Sequence, residues 1–168
     1  LEAYDDRVLR FHVNKGFTKK QWHSAVQMLR DNNLRVKTYL LFKPPFMSEG
    51  DALVHTTSWL TKVAPYSDEV SVNPMNIQKN TIVDRLFRNN EYRPPWLWSL
   101  VEMILRSHEN LGDDSCRIIV HPTAGGKIRG AHNCGECDSE VVAAIERYSV
   151  SGDTEEFSHL ACSCKSHW

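Results

Sequence analysis

The sequence predicts an α/β fold in which helices separate the strands of a parallel sheet. Short apolar, β-branched stretches recur along the chain, and stretches with helical spacing of apolar residues lie between them. Units of strand, helix and strand join parallel strands through right-handed crossovers. With 168 residues, of which 41% are hydrophobic, the chain is long enough to bury a sizeable core.

The first unit is predicted as a strand, a turn and a helix. Residues 6–13 are half apolar and contain enough β-branched residues for a strand, and residues 14–16 are a turn signal. Thr18 provides an N-cap, and Gln21 provides the reciprocal partner of a capping box. The amphipathic helix that follows is expected to end near residue 32.

Two more strands are predicted along the next part of the chain. Residues 35–42 form a largely buried strand that ends at residues 43–45, because the two prolines there cannot continue a hydrogen-bonded ladder. Ser48 caps the helix that leads to the third strand, at residues 69–73. Because a helix connects these strands, we predict that they run parallel.

The remaining chain adds two helices, a fourth strand and a last helix. The helices are expected from residue 81 to about residue 88, and from Pro95 to a stop near Gly112. Residues 116–121 form the strand. Asp138 is expected to cap the last helix.

Four of the five cysteines lie close together near the end of the sequence, and they predict a metal site. Four thiolates at about 2.3 Å suit a tetrahedral zinc ion. Unligated thiols and an iron–sulfur cluster are the alternatives, and a histidine can replace one thiolate. The predicted ligands are Cys134, Cys137, Cys162 and Cys164, and the candidate substitutes are His132, His159 and His167.

A glycine-rich basic loop precedes the first of these cysteines. Lys127 and Arg129 lie between the glycines of residues 125–130, and no carboxylate occurs from residue 115 to residue 133. Glycines allow close backbone approach to a ligand and the cations can contact phosphate, although the loop lacks the pattern of a nucleotide-binding P-loop. The alternative is a flexible, solvated loop.

Polar side chains follow the predicted strands at the edge where parallel strands end. This edge is where ligands bind in α/β folds, and the amides among these groups recognise a ligand without changing charge. Taken singly, each is an ordinary turn residue. The set comprises Asn14, Lys15, Lys43, Asn73, Asn76 and Gln78.

Several classes of protein receive no support from the sequence. It contains no Ser/His/Asp arrangement, no paired carboxylates in an apolar setting and no dinucleotide-binding fingerprint. No apolar run has the roughly 20 residues that span a bilayer, and no signal peptide is evident, so we expect a cytoplasmic protein without a membrane partner. The chain begins at Leu1, which suggests part of a longer protein.

Five stretches together carry a resemblance to a known family, and they extend over almost the whole chain. The chain resembles the archaeosine-biosynthesis radical S-adenosylmethionine (SAM) proteins, the RaSEA family, also called archaeosine synthase subunit beta. It resembles the radical SAM domain of the Elongator catalytic subunit more distantly. The stretches are NKG at 14–16, LLFKPP at 40–45, NPMNIQ at 73–78, YRPPWLWS at 92–99 and GKIRGAHNC at 126–134.

The resemblance implies the C-terminal part of a partial (βα) radical SAM barrel, at residues 1–112, with a small Cys-rich extension at residues 113–168. The family is archaeal and uses a [4Fe-4S] cluster to cleave SAM. With an alpha subunit it acts on a lysine adduct of 7-deazaguanine in the tRNA D-loop, and breaks a C–N bond in a lyase-type reaction that leaves archaeosine. tRNA and the alpha subunit are therefore the implied partners, and DNA is not.

The resemblance also assigns roles by position. It places the six strand-end residues named above at the SAM site, with residues 73–78 near the adenine and ribose. It implies that the substrate or the tRNA is contacted by Arg93, Trp96, Trp98, Lys127, Arg129 and His132.

The chain departs from the family in one respect. The Cys-x3-Cys-x2-Cys motif that binds the radical cluster is absent, and the C-terminal cysteines have a different spacing. We therefore expect that this chain alone does not cleave SAM. The alternative functions are a zinc-stabilised RNA-binding or partner-docking module without catalysis, and a plain zinc-containing α/β domain.

Overall fold

In the part of the chain that the structure describes, three parallel strands form the central sheet, in the order β1 (Lys37–Phe42), β2 (Glu69–Pro74) and β3 (Arg117–Val120). The computed structural model describes residues 1–112 and 116–168. Leu40 of β1 lies opposite Val72 of β2, which lies opposite Val120 of β3. The predicted α/β class and the parallel sheet are confirmed, and the partial barrel stays a prediction.

Six α-helices surround the sheet in the described part of the chain, and two of them begin at the predicted caps, Thr18 and Ser48. The Thr18–Gln21 capping box is present, and the hydroxyl groups of Ser48 and Thr81 accept backbone N–H groups at the starts of their helices. None of the described helices is long and apolar enough to cross a membrane. The helices are α1 (Asp6–Phe11), α2 (Lys19–Asp31), α3 (Glu49–Val63), α4 (Ile82–Arg88), α5 (Leu97–Leu111) and α6 (Asp138–Ser151).

The prediction of a strand at residues 6–13 is wrong, because most of this segment forms α1. The Asp5 carboxylate accepts the backbone N–H groups of Arg7 at 2.7 Å and Val8 at 3.2 Å, which starts a helix. The outer edge of β1 is also already occupied, since Glu2 pairs there with Leu40. An N-cap and a filled sheet edge therefore outweigh the β propensity of these residues.

Two predicted helix starts differ from the observed ones by a small number of residues. Asp138 is the first residue of α6, and Cys137 occupies the cap position. The predicted cap is wrong because the Asp138 carboxylate bonds backbone groups of the preceding turn. α5 begins at Leu97 instead of Pro95, and it ends at Leu111, beside the predicted Gly112.

The main hydrophobic core lies between the sheet and the helices α3, α5 and α6. Leu60 of α3, Leu100 of α5 and Ile145 of α6 are all fully buried. The same cluster includes Cys164, so it reaches the end of the chain. The predicted domain boundary between residues 112 and 113 borders residues 113–115, which lie outside the described part, and the division stays a prediction.

A second, smaller apolar cluster surrounds α4. Val83 of α4 is buried against Ile77 and Tyr92, with Leu86 and Phe87 packed around them. These residues are separate from the main core. α4 therefore packs on a cluster that is not part of the main core.

Leu60→Ala is expected to lower the free energy of unfolding by about 2 to 5 kcal/mol, because it removes a fully buried side chain between α3 and the sheet. Val54→Ala on the same helix is the control, since 62% of Val54 is exposed. Denaturant unfolding measures both. Equal losses of stability in the two variants would contradict the described core.

Candidate metal centre and adjoining basic surface

Four cysteine thiols meet at one point near the end of the chain, as predicted. Their sulfur atoms all lie within 4.8 Å of one another. The Sγ atom of Cys134 lies 3.9 Å from that of Cys137 and 3.7 Å from that of Cys162, and the Sγ atoms of Cys137 and Cys164 are 3.7 Å apart. Sulfurs around a tetrahedral ion at about 2.3 Å are about 3.8 Å apart, so the group fits one ion.

The same distances distinguish a single ion from a four-iron cluster. Such a cluster binds each thiolate to a different iron, so its sulfur ligands lie farther apart than those around one ion. A tetrahedral set of four sulfurs suits zinc or a single iron. His132, His159 and His167 are not part of the group among the described residues.

A tight turn at residues 133–138, the metal-site turn, leads into α6 and provides two of the thiols. One oxygen of the Asp138 carboxylate accepts the backbone N–H groups of Asn133 at 3.0 Å and Gly135 at 3.1 Å. Gly135 has a φ of 96°, which favours glycine. Cys134 and Cys137 therefore project from a turn that their neighbours hold closed.

The other two thiols come from the tail, and two side chains support the sulfur atoms. Cys162 directly precedes a 3-10 helix that contains Cys164. The indole N–H of Trp98 donates to the sulfur of Cys164 at 3.3 Å, and the Asn133 amide donates to that of Cys137 at 3.4 Å. Hydrogen bonds of this kind orient metal ligands and tune their basicity.

The thiols have different acidities because their surroundings differ. Backbone N–H groups of Cys137 and Glu136 lower the pKa of Cys134 to about 7. Burial raises the pKa of Cys137 to about 12 and also raises that of Cys164. A divalent cation would favour the thiolate form of all of them.

Arg93 connects the segment before α5 to the metal-site turn. Its guanidinium group donates to the carbonyl oxygens of Pro94 and His132, each at 2.9 Å, and stacks on the Trp96 ring at 3.9 Å. The His132 ring bonds the carbonyl oxygen of Gly130 at 2.8 Å. Arg93 and Trp96 are half-buried. Trp98 is only 2% exposed, so the structure places it beside the thiols instead of at the surface.

The basic loop is closed by its own hydrogen bonds, unlike a flexible loop. The N–H of Gly126 donates to the carbonyl oxygen of Ala131 at 2.9 Å, and that of Gly130 donates to Lys127 at 2.8 Å. A Cβ atom at Gly130 would lie 2.1 Å from the carbonyl oxygen of Ala124, so a side chain does not fit there. The Lys127 side chain is exposed.

Arg129 attaches this loop to α4. It forms an ion pair with Asp84 and donates to the carbonyl oxygen of Ile77 at 3.1 Å. Asp84 also accepts Arg88 at 2.8 Å and the N–H of Asn80 at 3.0 Å. With Arg129 as the main cause, these bonds hold the pKa of Asp84 at about 2.

Four of the predicted strand-end residues lie at the carboxyl edge of the sheet. Lys43 follows β1, and Asn73 belongs to β2. Lys43 is buried and forms an ion pair with Glu49 at 2.6 Å. The Gln78 amide donates to Asn76 at 2.7 Å. These four residues therefore lie at one edge of the sheet, where Asn76 and Gln78 bond each other and Lys43 is paired with Glu49.

The other two predicted residues lie elsewhere. Asn14 and Lys15 follow α1 instead of a strand, and Lys15 forms an ion pair with Glu2 at 3.1 Å. The reason for grouping them with the strand ends therefore no longer applies, and their role at a cofactor stays a prediction.

A cleft of about 340 Å³ lies between α4, the segment before α5 and the basic loop. Sequence reasoning did not include the α4 side of this cleft. Arg85 and Arg88, one turn apart in α4, signalled a basic face on this helix, although neither residue lines the cleft. The cleft is lined by Phe87, Asn90, Glu91, Tyr92, Arg93, Ile128 and His132.

Comparison with known proteins gives two named relatives that match along the whole chain. The chain is 34% identical over 168 residues to the archaeosine synthase subunit beta of Methanosarcina acetivorans. It is 36% identical over 169 residues to the subunit of that name from Thermococcus kodakarensis. The resemblance to archaeosine synthase subunit beta is confirmed. The chain spans about half the length of these relatives, 48% and 52% respectively.

Two further comparisons are consistent with this result. An uncharacterized protein from Methanocaldococcus jannaschii is 29% identical over 173 residues, and the match covers 46% of it. The solved structure of Methanocaldococcus infernus Elp3 with an N-terminal deletion matches 90% of this chain and 34% of its own, with a TM-score of 0.65. At 14% identity, Elp3 shows the fold alone. No protein-family model matches the chain.

We expect the purified chain to contain one zinc ion and no absorption band near ~400 nm, because all four thiols fit one tetrahedral ion. Cys137→Ser should lose the metal and lower the melting temperature. Cys116→Ser is the control, since Cys116 lies outside the group. Elemental analysis and absorption spectra measure these outcomes, and stoichiometric iron with that band would contradict the zinc assignment.

The ion pairs of Asp84 should make stability depend on pH in the acid range. Its pKa is about 2 in the folded chain, below the usual 3.8, so this stabilisation is complete above about pH 4 and is lost as the pH falls toward 2. Asp84→Asn should therefore flatten the fall in unfolding free energy between about pH 4 and pH 2. Denaturant unfolding at several pH values measures the slope.

The control for this experiment is Glu146→Gln, which changes an exposed carboxylate of α6. Its slope between about pH 4 and pH 2 should match that of the unmodified chain. An Asp84→Asn variant with the same slope as the unmodified chain would show that this carboxylate is not held by its arginines.

Proposed function

We propose that the chain is part of a radical SAM enzyme that modifies tRNA, as a component of archaeosine synthase. The observation that carries the proposal is its 34–36% identity, along its whole length, to two proteins named archaeosine synthase subunit beta. The proposed reaction converts a lysine adduct of 7-deazaguanine in the tRNA D-loop to archaeosine by cleavage of a C–N bond. tRNA and the alpha subunit are the proposed partners, and the cytoplasm is the proposed location.

The residues of this chain do not fit the radical cluster of the family. The Cys-x3-Cys-x2-Cys motif is absent, and the four clustered sulfurs are too close together for a four-iron cluster. We therefore assign no step of the radical chemistry to these cysteines. The proposal keeps the expectation that this chain alone does not cleave SAM.

We assign the carboxyl edge of the sheet to SAM recognition. Asn73, Asn76 and Gln78 can donate and accept hydrogen bonds with an adenine or a ribose, and ligands bind at such edges in α/β folds. Lys43 is buried in its ion pair with Glu49, so it holds the start of α3 beside this edge. Asn14 and Lys15 are supported by the resemblance alone.

The tRNA side is assigned to the basic loop and the segment before α5. Lys127 is exposed there, and Arg93, Trp96, Arg129 and His132 are half-buried. Of these, Arg93 and His132 line the cleft. Arg129 and Arg93 already bond protein groups, so their proposed contribution is to hold the surface as well as to provide charge. Trp98 is proposed to support the thiols.

Zinc is the proposed metal of the cysteine group. Cys134, Cys137, Cys162 and Cys164 would hold it, and four protein ligands leave no open position for substrate or water. Its proposed role is a crosslink that fastens the tail to the start of α6. Such a crosslink stabilises a polar tail that buries little apolar surface.

A second candidate function is a zinc-stabilised RNA-binding or partner-docking module without catalysis. The observation that favours it is the closed tetrahedral thiol group beside a basic loop. Both candidates require the metal and the basic surface. They differ in whether this chain supports archaeosine formation.

A chimeric protein tests the proposal. In the T. kodakarensis subunit, the matching 52% is replaced by this chain, and the chimera is produced in cells that lack the original subunit. We expect archaeosine in the tRNA of these cells, measured by mass spectrometry of the nucleosides. The original subunit is the positive control, and this chain alone is the negative control.

One result would contradict the catalytic proposal, and another would contradict the expectation that this chain alone does not cleave SAM. A chimera that folds and binds tRNA without restoring archaeosine would favour the binding module. Production of 5′-deoxyadenosine by this chain alone, after addition of iron, sulfide and SAM, would show that the chain itself holds a radical cluster.

A further inference from the structure

We propose that α4 and the basic loop together form one phosphate-binding surface, along which a strand of the substrate RNA passes. The exposed cations Lys79, Arg85 and Lys127 contact the phosphates, and the cleft beside α4 receives one nucleoside. The identity of the RNA as tRNA rests on the proposed function. The phosphate-binding surface itself rests on the charges and contacts of these two elements.

The first observation is a local concentration of positive charge. Residues 79–93 and 127–132 contain six lysine or arginine side chains and two carboxylates, a net charge of +4. The whole chain has a net charge of −1, so the rest of it is acidic, at −5. Phosphate contacts dominate the affinity of proteins for nucleic acids, and a basic surface on an otherwise acidic chain favours such a partner.

The second observation is that the buried carboxylate of this surface is already paired, whereas three of the exposed cations have no carboxylate partner among the described residues. Asp84 is buried and is neutralised by Arg88 and Arg129. In the described residues, Lys79, Arg85 and Lys127 are exposed and have no carboxylate partner. Solvated surface cations are common, but here three without a carboxylate partner lie just before α4, on α4 and on the basic loop, and an internal ion pair joins this helix to this loop.

The third observation is that the two elements are held in place by the protein itself. Arg129 and Ile77 exchange hydrogen bonds, with the N–H of Ile77 donating to the carbonyl oxygen of Arg129 at 2.8 Å. The Arg129 guanidinium also lies 5.5 Å from the centre of the Phe87 ring. A surface arranged before the ligand arrives loses less entropy on binding.

The fourth observation is the shape on either side of α4. The cleft of about 340 Å³ has Phe87, Tyr92 and Ile128 among its lining, and Ile128 is 69% exposed. A hollow of about 430 Å³ on the other side is lined by polar residues that include Arg85 and Arg88. A cleft with aromatic and aliphatic side chains among its polar lining, beside a rim of cations, suits a base next to its phosphates. Glu91 also lines the cleft and can accept a hydrogen bond from a base or a ribose hydroxyl.

The test compares two double variants of the metal-loaded chain. Arg85→Ala with Lys127→Ala removes two cations of the proposed surface, while Arg35→Ala with Lys62→Ala removes two exposed cations near the opposite edge of the sheet. Binding of an unmodified tRNA transcript is measured by fluorescence anisotropy at several salt concentrations. Melting curves check that both variants fold.

The surface variant should bind the transcript roughly tenfold or more weakly at low salt, and its slope of log affinity against log salt should fall by about 2. The control variant should keep the affinity and slope of the unmodified chain. Folded variants with equal affinities would overturn the surface, as would an unmodified chain that does not bind the transcript.

Failure of the surface and failure of the proposed function give different results. If the chimera restores archaeosine while the two double variants bind tRNA equally, the function stands and the surface is wrong. If the salt slope falls as expected while the chimera restores no archaeosine, the surface stands and the catalytic proposal is wrong.

Discussion

Four sulfur atoms within 4.8 Å of one another impose the constraint on which the C-terminal part of the structure depends. Thiolates so close together repel each other, and burial of Cys137 and Cys164 makes their charged forms still less favourable. A divalent ion reverses both effects. The turn before α6 and the tail can then each provide two ligands to one metal ion, although the tail itself contributes few residues to the hydrophobic core.

Asn133 connects this centre to the rest of the molecule. Its backbone N–H bonds Asp138, its carbonyl oxygen accepts Arg93, and its amide bonds both the sulfur of Cys137 and the backbone N–H of Trp98. Nearly every polar group of one buried residue is therefore used. The metal-site turn, the start of α5 and the wall of the cleft are consequently parts of one hydrogen-bonded network.

Local signals predicted much of this architecture, and long-range contacts explain the failures. The caps at Thr18 and Ser48 depend on neighbouring residues, so the sequence alone revealed them. The cysteine group was predictable because four cysteines so close together in the sequence are hard to explain without a bound metal. The segment 6–13 was misassigned because nothing local shows that Glu2 already occupies the edge of β1.

The basic surface shows the same limit. Arg129 was predicted as a ligand contact from its place in a glycine-rich loop, and its partner Asp84 lies 45 positions earlier in the sequence. No local pattern indicates that pair. Only the three-dimensional contact between α4 and the loop reveals that Arg129 joins them. The same contact explains why other cations of α4 remain exposed.

The internal ion pair also sets how this part of the molecule opens. α4 has only seven residues, too few for a stable helix by itself, and it packs on a small apolar cluster separate from the main core. Its order therefore depends on Arg129. When the basic loop opens, α4 loses its contact with Arg129, so we expect the two elements to exchange their amide hydrogens as one cooperative unit, while the sheet behind them stays closed.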